Sequence, residues 1–186
     1  LLTVSDLRTL GFGSSNVGGA TTIVNNSPFT IAANVTSAGP VVLTAGDSAA
    51  VGDNLTLNAG ALVDSTGDSV TLNAGDNALI NGDVTSATTT TINVDAGNLD
   101  VGTGGSLTIN GVITTPAVGL GGGAFLNGQT DDDTFTFNPQ TTTEFRLFGN
   151  LPTGTLTGDT LVIDVSATTD PNLTVPGSIA PYSGLG

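Results

Sequence analysis

The chain has 186 residues and a formal charge of −14 at pH 7, from 16 acidic side chains and two basic ones, Arg8 and Arg146. It contains no lysine, histidine, cysteine, methionine or tryptophan, and its single glutamate is Glu144. These absences exclude a Ser-His or Cys-His nucleophile pair, imidazole or thiolate metal ligation, a Schiff base, a disulfide and a lysine-dependent isopeptide bond.

So acidic a surface repels phosphate, and neither nucleic acid nor an anionic membrane surface is expected as a partner. No apolar run approaches the roughly 18 residues of a membrane helix, so no membrane insertion is expected. Hydrophobic residues make up 38% of the chain, mean hydropathy is +0.26 and charged residues are only 10%. That combination belongs to a chain that folds. The apolar residues are mostly Val, Leu, Ile and Ala, in short runs separated by Gly-Asp, Asn-Gly and Ala-Gly pairs. This pattern predicts an all-β chain of short strands and tight turns. Residue 1 is Leu and no charged segment precedes an apolar one, so the expectation is a processed mature form or a piece of a longer polypeptide.

Residues 1–20 are expected to be an N-terminal cap or a processed segment. Ser5 or Asp6 can cap a short helix over residues 1–12, with Leu7 and Leu10 three apart. Such a cap would cover the open strand edges of a repeat stack.

Residues 21–120 carry internal repeats. Val42-Leu43-Thr44-Ala45-Gly46 is followed by Leu55-Thr56-Leu57-Asn58-Ala59-Gly60 and Val70-Thr71-Leu72-Asn73-Ala74-Gly75, then by Ile92-Asn93-Val94-Asp95-Ala96-Gly97 and Leu107-Thr108-Ile109-Asn110-Gly111. The Ala-Gly pairs begin at 45, 59, 74 and 96, steps of 14, 15 and 22 residues. Alternation puts Leu55 and Leu57 on one face and Thr56 and Asn58 on the other. A strand this short buries its apolar face only by stacking on its copies, which predicts a parallel β-solenoid (β-helix). In this register Asn58, Asn73, Asp95 and Asn110 share one position and can form an amide ladder, with the following Gly supplying a positive φ at the corner. The 22-residue step reflects either a bulged loop or a coil of about 20 residues whose 14- and 15-residue steps mark faces. The alternative fold is an antiparallel β-sandwich, because Asn81-Gly82, Asn110-Gly111 and Asn127-Gly128 are good hairpin turns.

Gly121-Gly122-Gly123 marks a boundary, and residues 121–175 are expected to be a C-terminal β unit or cap. Five of the seven phenylalanines lie here: Phe125, Phe135, Phe137, Phe145 and Phe148. Leu161-Val162-Ile163-Asp164-Val165 has the pattern of a fully buried strand. Residues 176–186, rich in Pro, Gly and Ser, are expected to be a tail or linker.

The Val-Thr-Leu-Asn-Ala-Gly-Asp run at 70–76 and its copies resemble the repeat modules of large secreted or surface-attached bacterial proteins, the filamentous-haemagglutinin-like and haemolysin-type adhesins. The stretch 126–137 and Gly158-Asp159-Thr160-Leu161 carry the same resemblance. It implies a β-helical, extracellular, non-catalytic structural or adhesive role.

Six aspartates follow a glycine: Asp47, Asp53, Asp68, Asp76, Asp83 and Asp159. Carboxylates at tight turns suit calcium, which takes six to eight oxygens, or cap the turn through their own backbone. Asp131, Asp132 and Asp133 repel one another unless exposed or bound to a cation. The candidate calcium ligands are therefore Asp131, Asp132, Asp133, Asp76 and Asp83.

The expected function is a non-catalytic structural or adhesive protein of the bacterial cell surface or extracellular matrix. It would assemble with itself through strand edges into rods or filaments, with host-surface or matrix polysaccharide as a further partner. One alternative is a polysaccharide-degrading β-helix enzyme using Asp131, Asp133, Asp95 or Asp100, though aromatic platforms are scarce. Another is an ice-binding array built on Thr56, Thr71 and Thr108.

Overall fold

The computed structural model describes residues 9–150 and 158–164, apart from 12 and 17. Short alternating runs form strands that carry the chain repeatedly through three sheets. The first circuit is β1 (Thr9–Leu10), β2 (Ser14–Asn16) and β3 (Thr21–Asn25). The second is β4 (Phe29–Ile31), β5 (Val35–Ser37) and β6 (Val41–Ala45). The third is β7 (Leu55–Leu57), β8 (Leu62–Ser65) and β9 (Val70–Ala74). The fourth is β10 (Ala78–Ile80), β11 (Asp83–Ser86) and β12 (Thr89–Asn93). The fifth is β13 (Ser106–Ile109), β14 (Ile113–Thr114) and β15 (Gly123–Asn127), with a 3-10 turn at Val118–Leu120. Then follow β16 (Thr134–Phe137), β17 (Phe145–Phe148) and β18 (Thr160–Ile163).

The strand order is β1-β4-β7-β10-β13-β16-β18 in the first sheet, β14-β11-β8-β5-β2 in the second and β17-β15-β12-β9-β6-β3 in the third. Every strand pairing among the described residues is parallel. The antiparallel alternative is therefore overturned. Asn81-Gly82 and Asn110-Gly111 lie where the chain passes from the first sheet to the second, not at hairpins. No helix among the described residues is long and apolar enough to cross a membrane.

Register places like on like. Ile23, Leu43, Leu72, Ile92, Leu126 and Leu147 form one column of the third sheet. Ile31, Leu57, Ile80, Ile109 and Phe137 form one in the first. Val35, Val63, Val84 and Ile113 form one in the second. All three columns belong to a single apolar cluster, with Leu147 packed on its margin. Burying such a side chain contributes roughly 1.5–3 kcal/mol, so stacked columns carry short strands that are unstable alone.

The 14- and 15-residue steps mark faces. Val41 pairs with Val70, 29 positions on, and Val70 with Thr90, 20 positions on. Leu55–Leu57 belongs to the first sheet and Val70–Ala74 to the third, so the two most similar repeats do not stack on each other.

The amide ladder forms with other members than expected. Asn73 Nδ2 donates to Thr44 Oγ1 (3.0 Å), Asn93 Nδ2 to Asn73 Oδ1 (2.6 Å) and Asn127 Nδ2 to Asn93 Oδ1 (2.7 Å). A separate rung joins Asn110 Nδ2 to Asn81 Oδ1 at 2.8 Å. Asn58 lies at the Asn81 and Asn110 position, and Asp95 belongs to neither ladder. At Gly111 the requirement is closeness and not a positive φ, since a Cβ there would sit 1.9 Å from the Gly82 carbonyl oxygen.

Pairing continues past Gly121-Gly122-Gly123: β15 adds to β12, β16 to β13 and β17 to β15. Phe135 and Phe137 enter the same core, whereas Phe125 and Phe148 stack outside it with ring centroids 6.3 Å apart. Within the stretch 161–165, the described Leu161 and Val162 depart from their expected burial, at 43% and 46% exposed. Among the described residues β18 pairs on one side only, with β16, so nothing described here closes over it. The N-terminal helix expected over residues 1–12 falls mostly outside the described residues, and Thr9–Leu10 within it is a strand. The expected tail at 176–186 also lies outside the described residues.

Two pairs of substitutions test the stacking. Gly111→Ala is expected to lose about 1–3 kcal/mol in urea unfolding through overpacking. Gly119→Ala, with no atom within 4 Å of the added carbon, is expected to be nearly silent. Asn93→Ala strands the Asn127 donor and the Asn73 acceptor, for a loss of about 1–3 kcal/mol. The exposed rung at Asn110→Ala is expected to cost less.

Candidate functional site

The passage from the third sheet to the first is the acidic corner of the molecule. Asp47 and Asp53 lie between β6 and β7, and Asp76 between β9 and β10. Asp95 and Asp100 lie between β12 and β13, and Asp131, Asp132 and Asp133 between β15 and β16. Asp159 immediately precedes β18. Five carboxylates here reach back to the circuit before. Asp53 Oδ1 accepts from the Ser27 hydroxyl, and Asp76 Oδ2 from the Gly52 N–H and, at 2.8 Å, from the Asp53 N–H. Asp133 Oδ1 accepts from the Gly105 N–H (2.8 Å), Asp159 Oδ1 from the Asp133 N–H (2.9 Å) and Asp131 Oδ2 from the Gly102 N–H (2.7 Å). A corner leaves backbone donors without a sheet partner, and a carboxylate accepting them satisfies that demand.

The structure thus modifies the expectation of aspartates capping their own turns. Asp68 does so, taking the Ser69 N–H at 2.8 Å, whereas Asp53, Asp76, Asp83 and Asp159 bond to a neighbouring circuit and Asp47 to one two circuits on. Asp83, exposed at the start of β11, accepts the Val112 N–H at 2.9 Å and lies apart from the acidic corner. The run Asp131-Asp132-Asp133 does not act as one cluster. Asp132 Oδ1 accepts from the Gly158 N–H (2.8 Å), and Asp133 Oδ2 from the Gln129 N–H (2.8 Å).

Of the expected ligands, Asp76 alone belongs to the carboxylate group that converges. Asp47, Asp76 and Asp100 each present an oxygen, and these atoms lie within 4.8 Å of one another. Two like charges about 4 Å apart repel by roughly 4 kcal/mol at an effective dielectric of 20. Asp47 Oδ2 accepts the Leu99 N–H (2.8 Å) and Asp76 Oδ2 is engaged as above. Asp47 Oδ1, Asp76 Oδ1 and both oxygens of Asp100 are buried with no hydrogen-bond partner. Gly97, at φ 144°, lies against Asp47: a Cβ there would come within 2.3 Å of Asp47 Oδ2.

Asp95 stands beside this group. It is 1% exposed, at φ 51°, and neither carboxylate oxygen has a partner. Burial, and then the charges of Asp133, Asp131, Asp100 and Asp47, raise its pKa from 3.8 to about 7. Asp133 is raised to about 6, mainly by burial, against the lowering effect of its two backbone donors. Burial and the neighbouring Asp76 charge raise Asp100. Arg146 is remote from this balance, its Nε held 3.1 Å from Glu144 Oε1 on an exposed strand. Carboxylate oxygens in this number, without nitrogen or sulfur ligands, are the donor set of a hard cation.

The threonines do not form the expected array. Thr56 and Thr108 are separated by Leu79 in the first sheet, and Thr71 lies in the third, beside Thr91. Sequence comparison missed the convergence of Asp47 and Asp100 with Asp76. The one regular signal, a column two residues before the first inward residue of the first-sheet strands from β4 to β18 (Ser27, Asp53, Asp76, Gly105, Asp133 and Asp159), holds Asp76 but neither Asp47 nor Asp100. No protein-family model, curated protein or solved structure matches the chain.

The raised carboxyl of Asp95 sets a pH dependence. Between about pH 4 and 7 the folded state keeps a proton that the unfolded chain has released. Its stabilisation is complete below the unfolded value of 3.8 and is lost as pH rises through about 7. In metal-free buffer the melting midpoint is expected to fall across that window. Asp95→Asn, which stays neutral, is expected to flatten the fall and to melt above the parent at pH 8. Parallel profiles for the two chains would refute the assignment.

Proposed function

We propose that the circuits are the coils of a parallel β-solenoid and that the chain is a non-catalytic structural module. It serves as a stiff segment of a secreted or cell-surface assembly, in which copies join through the edges of terminal strands. The observation that carries this reading is the unbroken register of the first sheet from β1 to β18, with aliphatic columns running along it. Coils stacked at about 4.8 Å in hydrogen-bonding distance make a rod from a short repeat. Strands at the ends of such a rod offer backbone donors and acceptors to another copy. The surface has no lysine to guard its strand edges, and the one positive residue on a described end strand, Arg146 of β17, is paired with Glu144.

The carbohydrate-cleaving alternative ranks second on one observation. Three of its four candidate acids, Asp95, Asp131 and Asp133, are each 1% exposed, and an acid or base must reach its substrate. The adhesive role and a polysaccharide partner belong to this proposal as functions the rod would display, not as separate sites.

Sedimentation velocity and negative-stain electron microscopy of the full chain test the reading. Elongated particles that lengthen end to end as concentration rises are expected. Compact monomers at every concentration would sink the assembly role.

A further inference from the structure

We propose that Asp47, Asp76 and Asp100 bind one calcium ion that fastens three successive circuits together at the corner between the third and first sheets. The three residues come from three consecutive passages across that corner, so the ion would bridge segments joined elsewhere by strand pairing.

Geometry supplies the first argument. The three ligand atoms lie within 4.8 Å of one another. Calcium–oxygen distances of about 2.3–2.6 Å place oxygens on opposite sides of an ion about that far apart. A second observation is independent of the clustering. Asp76 is only 6% exposed, and its Oδ1 has no hydrogen-bond partner although its Oδ2 is held by two backbone donors. The oxygen left over is buried, and the engagement of the other fixes the carboxylate that carries it. Asp95, 1% exposed and with both oxygens unpartnered, adds a further buried carboxyl beside it. A buried carboxylate without a donor is stable only when protonated or when a cation supplies the missing partner.

The chemistry of the donors selects the ion. The chain has no histidine or cysteine, so side-chain ligation is through oxygen alone. Asp47 Oδ1, Asp76 Oδ1 and the two oxygens of Asp100 are uncommitted, and water completes a calcium shell of six to eight. The ligands lie on irregular corners of unequal length, which suits calcium's adaptable shell more than magnesium's strict octahedron. This inference stands on the corner itself and not on assembly into rods. A monomer that binds calcium would sink the assembly reading and leave the site, and rods without calcium would do the reverse.

The test is isothermal titration of calcium chloride into the metal-free full chain, with thermal unfolding alongside. A single saturable event with one ion per chain is expected, together with a higher melting midpoint that sodium chloride at matched ionic strength does not reproduce. Asp100→Asn is expected to weaken binding at least tenfold with an unchanged far-ultraviolet spectrum. Asp47→Asn is expected to do the same, and Asp83→Asn, at another corner, to bind as the parent does. No saturable heat, equal binding by the Asp100 variant, or a midpoint shift matched by sodium chloride would overturn the site. Tighter binding of magnesium chloride would overturn the choice of ion.

Discussion

Most inward-facing strand residues lie over an apolar residue in the circuit before, and most of the molecule follows from that stacking. Leu43 under Leu72 and Leu72 under Ile92 put aliphatic side chains into one interior without any long strand or helix. The same register brings Asn73 beneath Asn93 and Asn93 beneath Asn127, so a polar side chain that would be a liability singly becomes a donor to one neighbour and an acceptor from the other. Parallel pairing also puts each corner on top of the last. Side chains there answer to the backbone of an adjacent circuit more than to their own turn.

Much of this was legible in the sequence because the period-two alternation of Leu55, Leu57 and Val70, Leu72 fixes which side chains turn inward. The all-β class and the parallel sheets follow from that and from the short repeats. Which repeat lies over which did not follow. The segments 55–60 and 70–75 look alike because each is a short strand running into a corner with an Asn near its end, yet one belongs to the first sheet and the other to the third. Similarity of sequence reported similarity of local environment, a strand followed by a corner, and not adjacency in space. The Asn-Gly pairs misled in the same way. Glycine is needed at 111 because a carbonyl of the circuit before passes close by, a demand that looks the same in sequence as a tight hairpin.

The acidic corner was legible residue by residue but not as a constellation. Asp76 stood out through its Gly-Asp pair and the adjacent Asp131, Asp132 and Asp133 through their charge, but the structure sends the latter three to separate backbone donors. Asp100 occurs in no repeat, and only the irregular path between β12 and β13 carries it toward Asp47, 53 positions earlier. Convergence of this sort depends on loops whose course alternation does not set. The price of bringing carboxylates together is visible in the raised pKa values of Asp95, Asp100 and Asp133, since burial and like charge act on them in the same direction.

The circuits are far from equal in length. Between paired residues of the third sheet the chain advances 20 residues from Thr21 to Val41 but 34 from Thr90 to Ala124. Yet the ladder advances by a single strand each time, so surplus chain is displaced sideways at the corners and adds nothing along the axis of stacking. Height and sequence length are therefore uncoupled in this architecture. Segments can be lengthened at a corner as decoration while the pitch of the scaffold stays constant, which leaves evolution, or an engineer, free to vary the flank without retuning the interior.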